Sequence, residues 1–508
     1  MADFDLAILG SGFSGSLLAM VARRLGLSVL LVERGTHPRF AIGESTSPLT
    51  NLLLEELARD YDLPRLLPLC AYGPWKQSYP EIGVGLKRGF TFYQHEAGEP
   101  FRPDPERRNE LMVAASPNDE VADTHWYRAD FDHFLVREAQ GLGAEYVDRV
   151  TLERFQAGEP CVLEGTHGGQ PVRYRARFTV DATGPRGALS KLLSLPESPP
   201  YPNYPGTQAL FSHFTNVPYF ADVLGLRTES PPYPPDAAAL HHVFRGGWIW
   251  VLRFDNGITS AGIAAEDWLA DELGFSEGAS AWERVLARFP SVRDHFTGTE
   301  AVVPFIHAPR LSYRCRVPQG PGFALLPSAM GFVDPLFSTG FPLTLLGIHR
   351  LGRSLRDHGG IVPCPDPEQY DYRSTQELTA AAALVRGCYS SFANFSSFTA
   401  LSMLYFAAAS YSEMARRLGR GDLASQFLLG SQPAFQSAFT RHVGKALEGL
   451  PVDPEAVRRD LEPFNIAGLC DPGKRNWYGV DLQDVVRGAT KLEQTPDQVL
   501  AFIARMGW

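Results

Sequence analysis

Residues Gly10-Ser11-Gly12-Phe13-Ser14-Gly15 constrain this chain more than any other segment. They follow a short apolar run, Leu6-Ala7-Ile8-Leu9, and precede a helically spaced stretch from Ser16 to Leu25. A second apolar run, Ser28 to Val32, comes next, so the opening of the chain reads as strand, turn, helix, strand. Two strands joined through a helix lie parallel, which predicts an α/β protein with a Rossmann-like parallel sheet. Gly10 permits the tight turn, Gly12 lets a phosphate approach the backbone, and Gly15 lets helix and strand pack closely. The helix that opens at Phe13 and Ser14 adds unpaired N–H groups and a positive dipole end. Glu33 ends the second strand, where a carboxylate accepts ribose hydroxyls. Together these residues predict a dinucleotide site.

The remaining chemistry lies farther along. At 508 residues there is room for two or three domains. A net charge of −10 argues against a nucleic-acid backbone or anionic lipid as main partner. The apolar stretch Phe398 to Tyr411 is too short for a bilayer and contains Ser402 and Ser410. No secretory-type apolar segment opens the chain, because a glycine turn stands where its core would be. Cys70, Cys161, Cys315, Cys364, Cys388 and Cys470 are scattered without metal-type spacing. The expectation is unpaired thiols in a cytoplasmic protein with no bound metal.

Helical spacing resumes from Ser47 to Leu69 and again from His125 to Gly141, with Phe131, Leu135 and Ala139 on one face. Residues 145–181 alternate like antiparallel strands, and Gly247-Trp248-Ile249-Trp250-Val251-Leu252 reads as another strand. Phe323-Ala324-Leu325-Leu326 predicts a buried strand leading to Asp334-Pro335-Leu336-Phe337-Ser338-Thr339-Gly340 and a helix beyond. After Pro363, Pro365 and Pro367 the pattern is predominantly helical. The expected organisation is a discontinuous nucleotide domain (1–69, 119–195 and 306–360), a mixed antiparallel-sheet region (70–118 and 196–305) and a helical C-terminal region (361–508).

Two further elements bear on which dinucleotide binds. Asp181-Ala182-Thr183-Gly184 resembles the second nucleotide motif of flavin monooxygenase-fold proteins. Arg128-Ala129-Asp130-Phe131-Asp132 resembles their Arg-x-x-Phe-Asp element, whose arginine approaches the ribityl or phosphate region of the flavin. With Gly43-Glu44-Ser45-Thr46-Ser47-Pro48, Lys87-Arg88-Gly89-Phe90-Thr91-Phe92 and Asp334 to Gly340, the first 350 residues or so resemble the flavin-dependent halogenases. The resemblance implies FAD, used as FADH2, and chloride or bromide. Halide attack on a flavin hydroperoxide would give hypohalous acid, which Lys87 hands to the substrate. It further implies a strap that brings Ser45 and Thr46 to the flavin, and Ser338, Thr339 and Gly340 as the halide nest. Asp334 and Gly340 would also touch the cofactor, while Trp248, Trp250 and Phe337 would shield substrate from it.

The chain departs from the family pattern in three places. Trp248-Ile249-Trp250-Val251-Leu252-Arg253 keeps both tryptophans of Trp-x-Trp-x-Ile-Pro but not the Ile-Pro, and the pair could equally be packed core. Pro327-Ser328-Ala329-Met330 stands where this fold has Gly-Asp-Ala-Ala, leaving Ser328, uncharged, on the ribityl chain. Phe337 stands where tryptophan halogenases have glutamate, which points to a phenolic or pyrrolic substrate, free or tethered to a carrier protein. A separate flavin reductase is the implied partner. A flavin hydroxylase on the same scaffold and a flavin-binding protein without turnover are the alternatives. His125, His241, His242 and His307 read individually as structural or surface residues.

Overall fold

In the computed structural model, residues 3–198, 203–225, 229–358, 366 and 368–506 are described. Cys364 and the proline-rich segment at Pro363, Pro365 and Pro367 lie outside them. Strand β1 (Phe4–Leu9), helix α1 (Phe13–Arg24) and strand β2 (Val29–Val32) form the expected unit, with β1 and β2 parallel in register Leu6–Val29 to Leu9–Val32. The other side of β1 pairs in parallel with the strand Gln170–Asp181, which in turn pairs in parallel with Phe323–Leu325. This eight-stranded sheet is buried on both faces where α1 and a later helix pack, so its central strands are continuous apolar runs. The hairpins joining Val150–Gln156, Cys161–His167 and Gln170–Asp181 are antiparallel, as their alternation requires.

Helix α2 (Pro48–Asp60) starts on Ser47, whose hydroxyl accepts from Thr50 N–H, with Pro48 preset for the first turn. Beyond it, strand β3 (Val84–Lys87) leads directly into strand β4 (Gly89–Gln94). The helix expected from His125 begins only at Arg128. Asp123–Trp126 is instead strand β5, antiparallel to β3, so that Lys87 faces Asp123 across the register. The reason is tertiary: the β-prone Thr124 and Trp126 gain a ladder with β3 that no local spacing announces. Helix α3 (Arg128–Gly141) then buries Phe131, Leu135 and Ala139 on the expected face.

The second sheet has nine strands and is mixed. Its centre is strand β6 (Thr207–Thr215), strand β7 (Ala239–Phe244), strand β8 (Gly247–Arg253) and strand β9 (Thr259–Glu266), with β4 added parallel to β7. Alternation along β8 sends Trp248, Trp250 and Leu252 into the main core and Ile249 and Val251 into a second core. The short helices Asp267–Leu273 and Ala279–Arg288 cap that second core through Leu269, Trp282 and Val285.

Helix α4 (Gly340–Asp357) runs back from the Asp334–Gly340 segment to pack on α1 and α2. Helix α5 (Arg373–Ser391) and helix α6 (Phe395–Arg417) follow, divided at Asn394, whose side chain accepts from Ser397 N–H. Both are buried along most of their length and belong to the main core with the sheets. The five described cysteines are unpaired. Among the described residues, no helix is long and apolar enough to cross a membrane and no His/Cys/Asp/Glu group could hold a metal ion.

Candidate active site

A groove of about 870 Å³ runs from the glycine turn after β1 to the first turn of α4. Its wall includes Gly10, Gly12, Phe13, Ser14, Glu33, Ser45, Arg128, Ser328, Ser338, Thr339, Gly340, Trp248 and Trp250. The glycines divide by cause. Gly10 has φ +91, and a Cβ there would lie 2.8 Å from Ala182 O, while a Cβ on Gly15 would lie 1.9 Å from Gly10 O. The fold itself forbids side chains at these two. At Gly12 and Gly340 a Cβ would meet nothing closer than 3.6 Å, so no protein atom demands glycine there. Both face the groove, where a missing side chain leaves the backbone open to a ligand.

Glu33 accepts from Ser11 N–H and Oγ–H at 3.0 Å and from Gly35 N–H at 2.8 Å, with Arg39 nearby. Burial alone would raise its pKa, but these amides and Arg39 hold the carboxyl below the usual range. Ser328 Oγ is buried on the groove wall without a protein partner, so it is free to bond a ligand. Arg128 is paired with Asp132 through Nε (2.8 Å) and Nη2 (2.7 Å), and its Nη1 donates to Gly43 O at 2.8 Å. It therefore ties the segment around Gly43 to α3 while also lining the groove.

That segment is knitted down residue by residue. Glu44 O accepts from Trp126 N–H, the Glu44 carboxylate pairs with His213 Nε2 at 2.7 Å, and Thr46 bonds Thr124 through backbone and side chain. Ser45 is on the groove wall; behind it, off the wall, is Lys87. Lys87 is fully buried, donates to Ser45 Oγ at 2.8 Å and to Thr46 O, and lies 3.8 Å over the Phe90 ring. Burial pushes its pKa down to about 7, opposed by the charge of Asp123. Burial pushes Asp123 up to about 7, opposed by Lys87, and Asn51 donates to Asp123 Oδ1 at 2.9 Å. His125, two register pairs along β5, is fully buried, and burial holds its pKa well below the ordinary value. Beside Lys87 lies an aromatic cluster in which His241 stacks on Phe92 at 4.4 Å and Phe337 on Tyr405 at 4.8 Å.

At the far end, Phe337 and Ser338 both have positive φ (+64 and +56), an arrangement costing on the order of 1–3 kcal/mol per non-glycine residue. Tyr405 OH holds it by donating to Phe337 O at 2.8 Å, and Asp334 Oδ1 accepts from Leu336 N–H at 3.0 Å. The turn delivers Thr339 and Gly340 to the start of α4, where amides lack partners inside the helix.

The fold thus gathers most of the expected residues on one wall. Gly15, Thr46, Asp334, Phe337 and Lys87 stand behind it. Gly15 and Thr46 serve turn packing and strap anchoring. Asp334 and Phe337 are buried by contacts from α5 and α6. Asp123, His213, Tyr389 and Tyr405 were not singled out from sequence: each matters only through a partner tens to hundreds of residues away. None of them carried a local signal: Asp123 meets Lys87 only because β5 pairs with β3.

Comparison with known proteins agrees with this arrangement. No family model matches the chain. Monodechloroaminopyrrolnitrin halogenase PrnC of Pseudomonas fluorescens is 30% identical over 406 residues, covering 77% of this chain and 69% of the relative. A 1H-pyrrole-2-carbonyl-[peptidyl-carrier protein] chlorinase, also from Pseudomonas fluorescens, is 26% identical over 68% of this chain and 73% of its own. The crystal structure of halogenase PltM in complex with phloroglucinol and FAD superposes with a TM-score of 0.80 at 25% identity, over 93% of this chain and 99% of that one. With that identity to PrnC over most of both chains, and on the same fold as PltM, this chain belongs to the flavin-dependent halogenases.

Proposed function

We propose that this enzyme halogenates an electron-rich phenolic or pyrrolic substrate, using O2, chloride or bromide and reduced FAD delivered by a separate reductase. Reduced FAD, when bound, supplies two of the four electrons that O2 takes up, and the halide gives up the other two. The glycine turn and the N-terminus of α1 suit the pyrophosphate, Glu33 the ribose, and Ser45, Arg128, Ser328 and Gly340 the flavin side of the groove. The open amides at Thr339 and Gly340, beside Ser338, suit a halide ion.

The observation that carries the reading is the place of Lys87: an interior lysine bonded to Ser45, the residue that faces the groove from the other side. Halogen oxidised in the groove has Lys87 as its first basic group behind Ser45. A protonated Lys87 polarises hypohalous acid by hydrogen bonding, while a neutral Lys87 attacks its halogen, the N–halogen bond forming as the O–halogen bond breaks and hydroxide leaving as water with the amine proton. Burial with Asp123 puts both forms within reach near neutral pH. No carboxylate stands at Phe337, which favours substrates whose own oxygen or nitrogen supplies electron density. The relatives' names support this class: monodechloroaminopyrrolnitrin, phloroglucinol in a complex, and a pyrrole-2-carbonyl group on a carrier protein.

The test supplies a flavin reductase, NADH, O2 and bromide or chloride to a phenol, pyrrole and indole panel, read by mass spectrometry. Halogen isotope patterns on phenols or pyrroles that vanish in Lys87→Ala, with FAD binding retained, support the proposal. Oxygen insertion without halide dependence would make the protein a hydroxylase, and tight FAD binding with no product a binding protein.

A further inference from the structure

The Trp248 indole and the Asp334–Gly340 segment meet through a buried chain of hydrogen bonds that neither the cofactor groove nor Lys87 accounts for. Trp248 Nε1 donates to Tyr389 OH at 3.0 Å, Tyr389 OH donates to Asp334 Oδ2 at 2.9 Å, and Thr207 Oγ1 donates to the same oxygen at 3.2 Å. Asp334 Oδ1 takes Leu336 N–H at 3.0 Å. The direction of every bond is forced. An indole N–H can only donate, so Tyr389 oxygen accepts it. The Tyr389 hydrogen must then go elsewhere, and Asp334 is the acceptor present. With Asp334 holding Tyr389 in place, an indole that turned would take its N–H off the Tyr389 oxygen and lose that bond.

The four parts come from different elements: Trp248 from β8, Thr207 from β6, Tyr389 from α5, and Asp334 from the segment ahead of α4. Trp248 is on the groove wall, and Leu336 begins the turn that carries Ser338, Thr339 and Gly340. Tyr389 is further fixed by packing on Phe392 at 4.7 Å.

We propose that Tyr389 and Asp334 are positioning residues that lock the Trp248 indole and the Ser338–Gly340 turn into one rigid wall, so that oxidised halogen is passed on rather than lost to solvent. This rests on the halogenase reading of the groove given above. The C-terminal helical region, on this view, supplies part of the reaction wall through α5.

The experiment compares wild type, Tyr389→Phe, Asp334→Asn, their double variant and, as the dichroism reference, Trp248→Phe. Two readouts are taken: hydrogen peroxide released per reduced FAD consumed against halogenated product, and the near-ultraviolet circular dichroism of the FAD-free protein. Tyr389→Phe is expected to raise the peroxide share roughly fivefold, as loss of one buried hydrogen bond would. FAD affinity should stay within about twofold, because neither side chain reaches the groove. The tryptophan dichroism bands are expected to change as they do in Trp248→Phe. The double variant should be no worse than the poorer single variant, since the two residues act as one unit. Unchanged partition and dichroism in a folded Tyr389→Phe protein, or additive losses in the double variant, would overturn the proposal. If Tyr389→Phe does not fold, Asp334→Asn carries the same readouts. If wild type halogenates nothing in the panel, the proposed function fails, while the dichroism comparison still reports whether Tyr389 holds the indole.

Discussion

The nucleotide groove and the compartment around Lys87 share one strand of chain, Gly43–Thr46, yet are built on opposite principles. The groove is open, about 870 Å³, and faced with backbone amides and short polar side chains. Lys87 is sealed, its ammonium touching a hydroxyl, a carbonyl and an aromatic ring. On the function proposed above, an open groove suits a large cofactor that comes and goes. A sealed amine, on the same proposal, suits an oxidant that must not meet water, and the low dielectric that seals it also moves its pKa. The difference teaches that one wall can serve both needs because Ser45 turns its hydroxyl inward to Lys87 while remaining on the groove.

The largest expected effect separates the two regions. Lys87→Met should cut halogenation by roughly a hundredfold or more with FAD affinity unchanged. Gly12→Val should weaken FAD binding by roughly tenfold or more, by filling the space left for a phosphate. Fluorescence titration of FAD and product analysis on both variants check this, and loss of FAD binding in Lys87→Met would erase the distinction.

A finer cut tests how Lys87 works. The Asp123 charge raises the Lys87 pKa against burial, so Asp123→Asn should lower it further. If the neutral amine carries the halogen, the rising limb of the pH–rate profile moves to lower pH than in the wild type. If the ammonium is needed, the variant loses activity at neutral pH and recovers only in more acidic buffer. An unshifted profile would uncouple Asp123 from the step.

Stability should respond to acid through the second core as well as through the Lys87 compartment, where burial also holds His125 and His241 neutral. His95, His242 and His295 form a buried series: His295 Nε2 to Pro218 O (3.1 Å), His242 Nε2 to His295 Nδ1 (3.2 Å), His95 Nε2 to His242 Nδ1 (2.9 Å). Burial pushes His95 and His295 down to about 3 and His242 well below its ordinary value. A histidine with a depressed folded pKa stabilises the fold above the unfolded value of 6.5, and that contribution is lost as pH falls from 6.5 toward 3. Urea unfolding should weaken by roughly 1 kcal/mol per pH unit per histidine below that point. A flat stability between neutral and mildly acid buffer would contradict it.

The smallest effect expected is at the turn. Tyr405→Phe removes the bond to Phe337 O and should lower stability by about 1 kcal/mol while raising the halide concentration needed for half-maximal rate. Chemical denaturation and halide titration read the two separately.

Much of the groove was legible in the sequence because its parts are local. Gly10 to Gly15 act through their own backbone, and Ser338 to Gly340 through theirs, so short motifs report them. The Lys87 compartment was legible only as a single residue. Its partners Asp123 and Asn51 stand at separations no periodicity measures, and the strand Asp123–Trp126 was masked by the helical spacing that follows. Asp334 shows the same limit in reverse: its motif was read, but its carboxylate faces Tyr389 and Thr207. Local order along the chain determined the β-α-β unit, the turn glycines and the family, because each depends on near neighbours. Which side chains face the groove and which are locked behind it was decided by how the two sheets and the helices α5 and α6 close on one another. Burial, and with it charge state and hydrogen-bond direction, is a property of that closure.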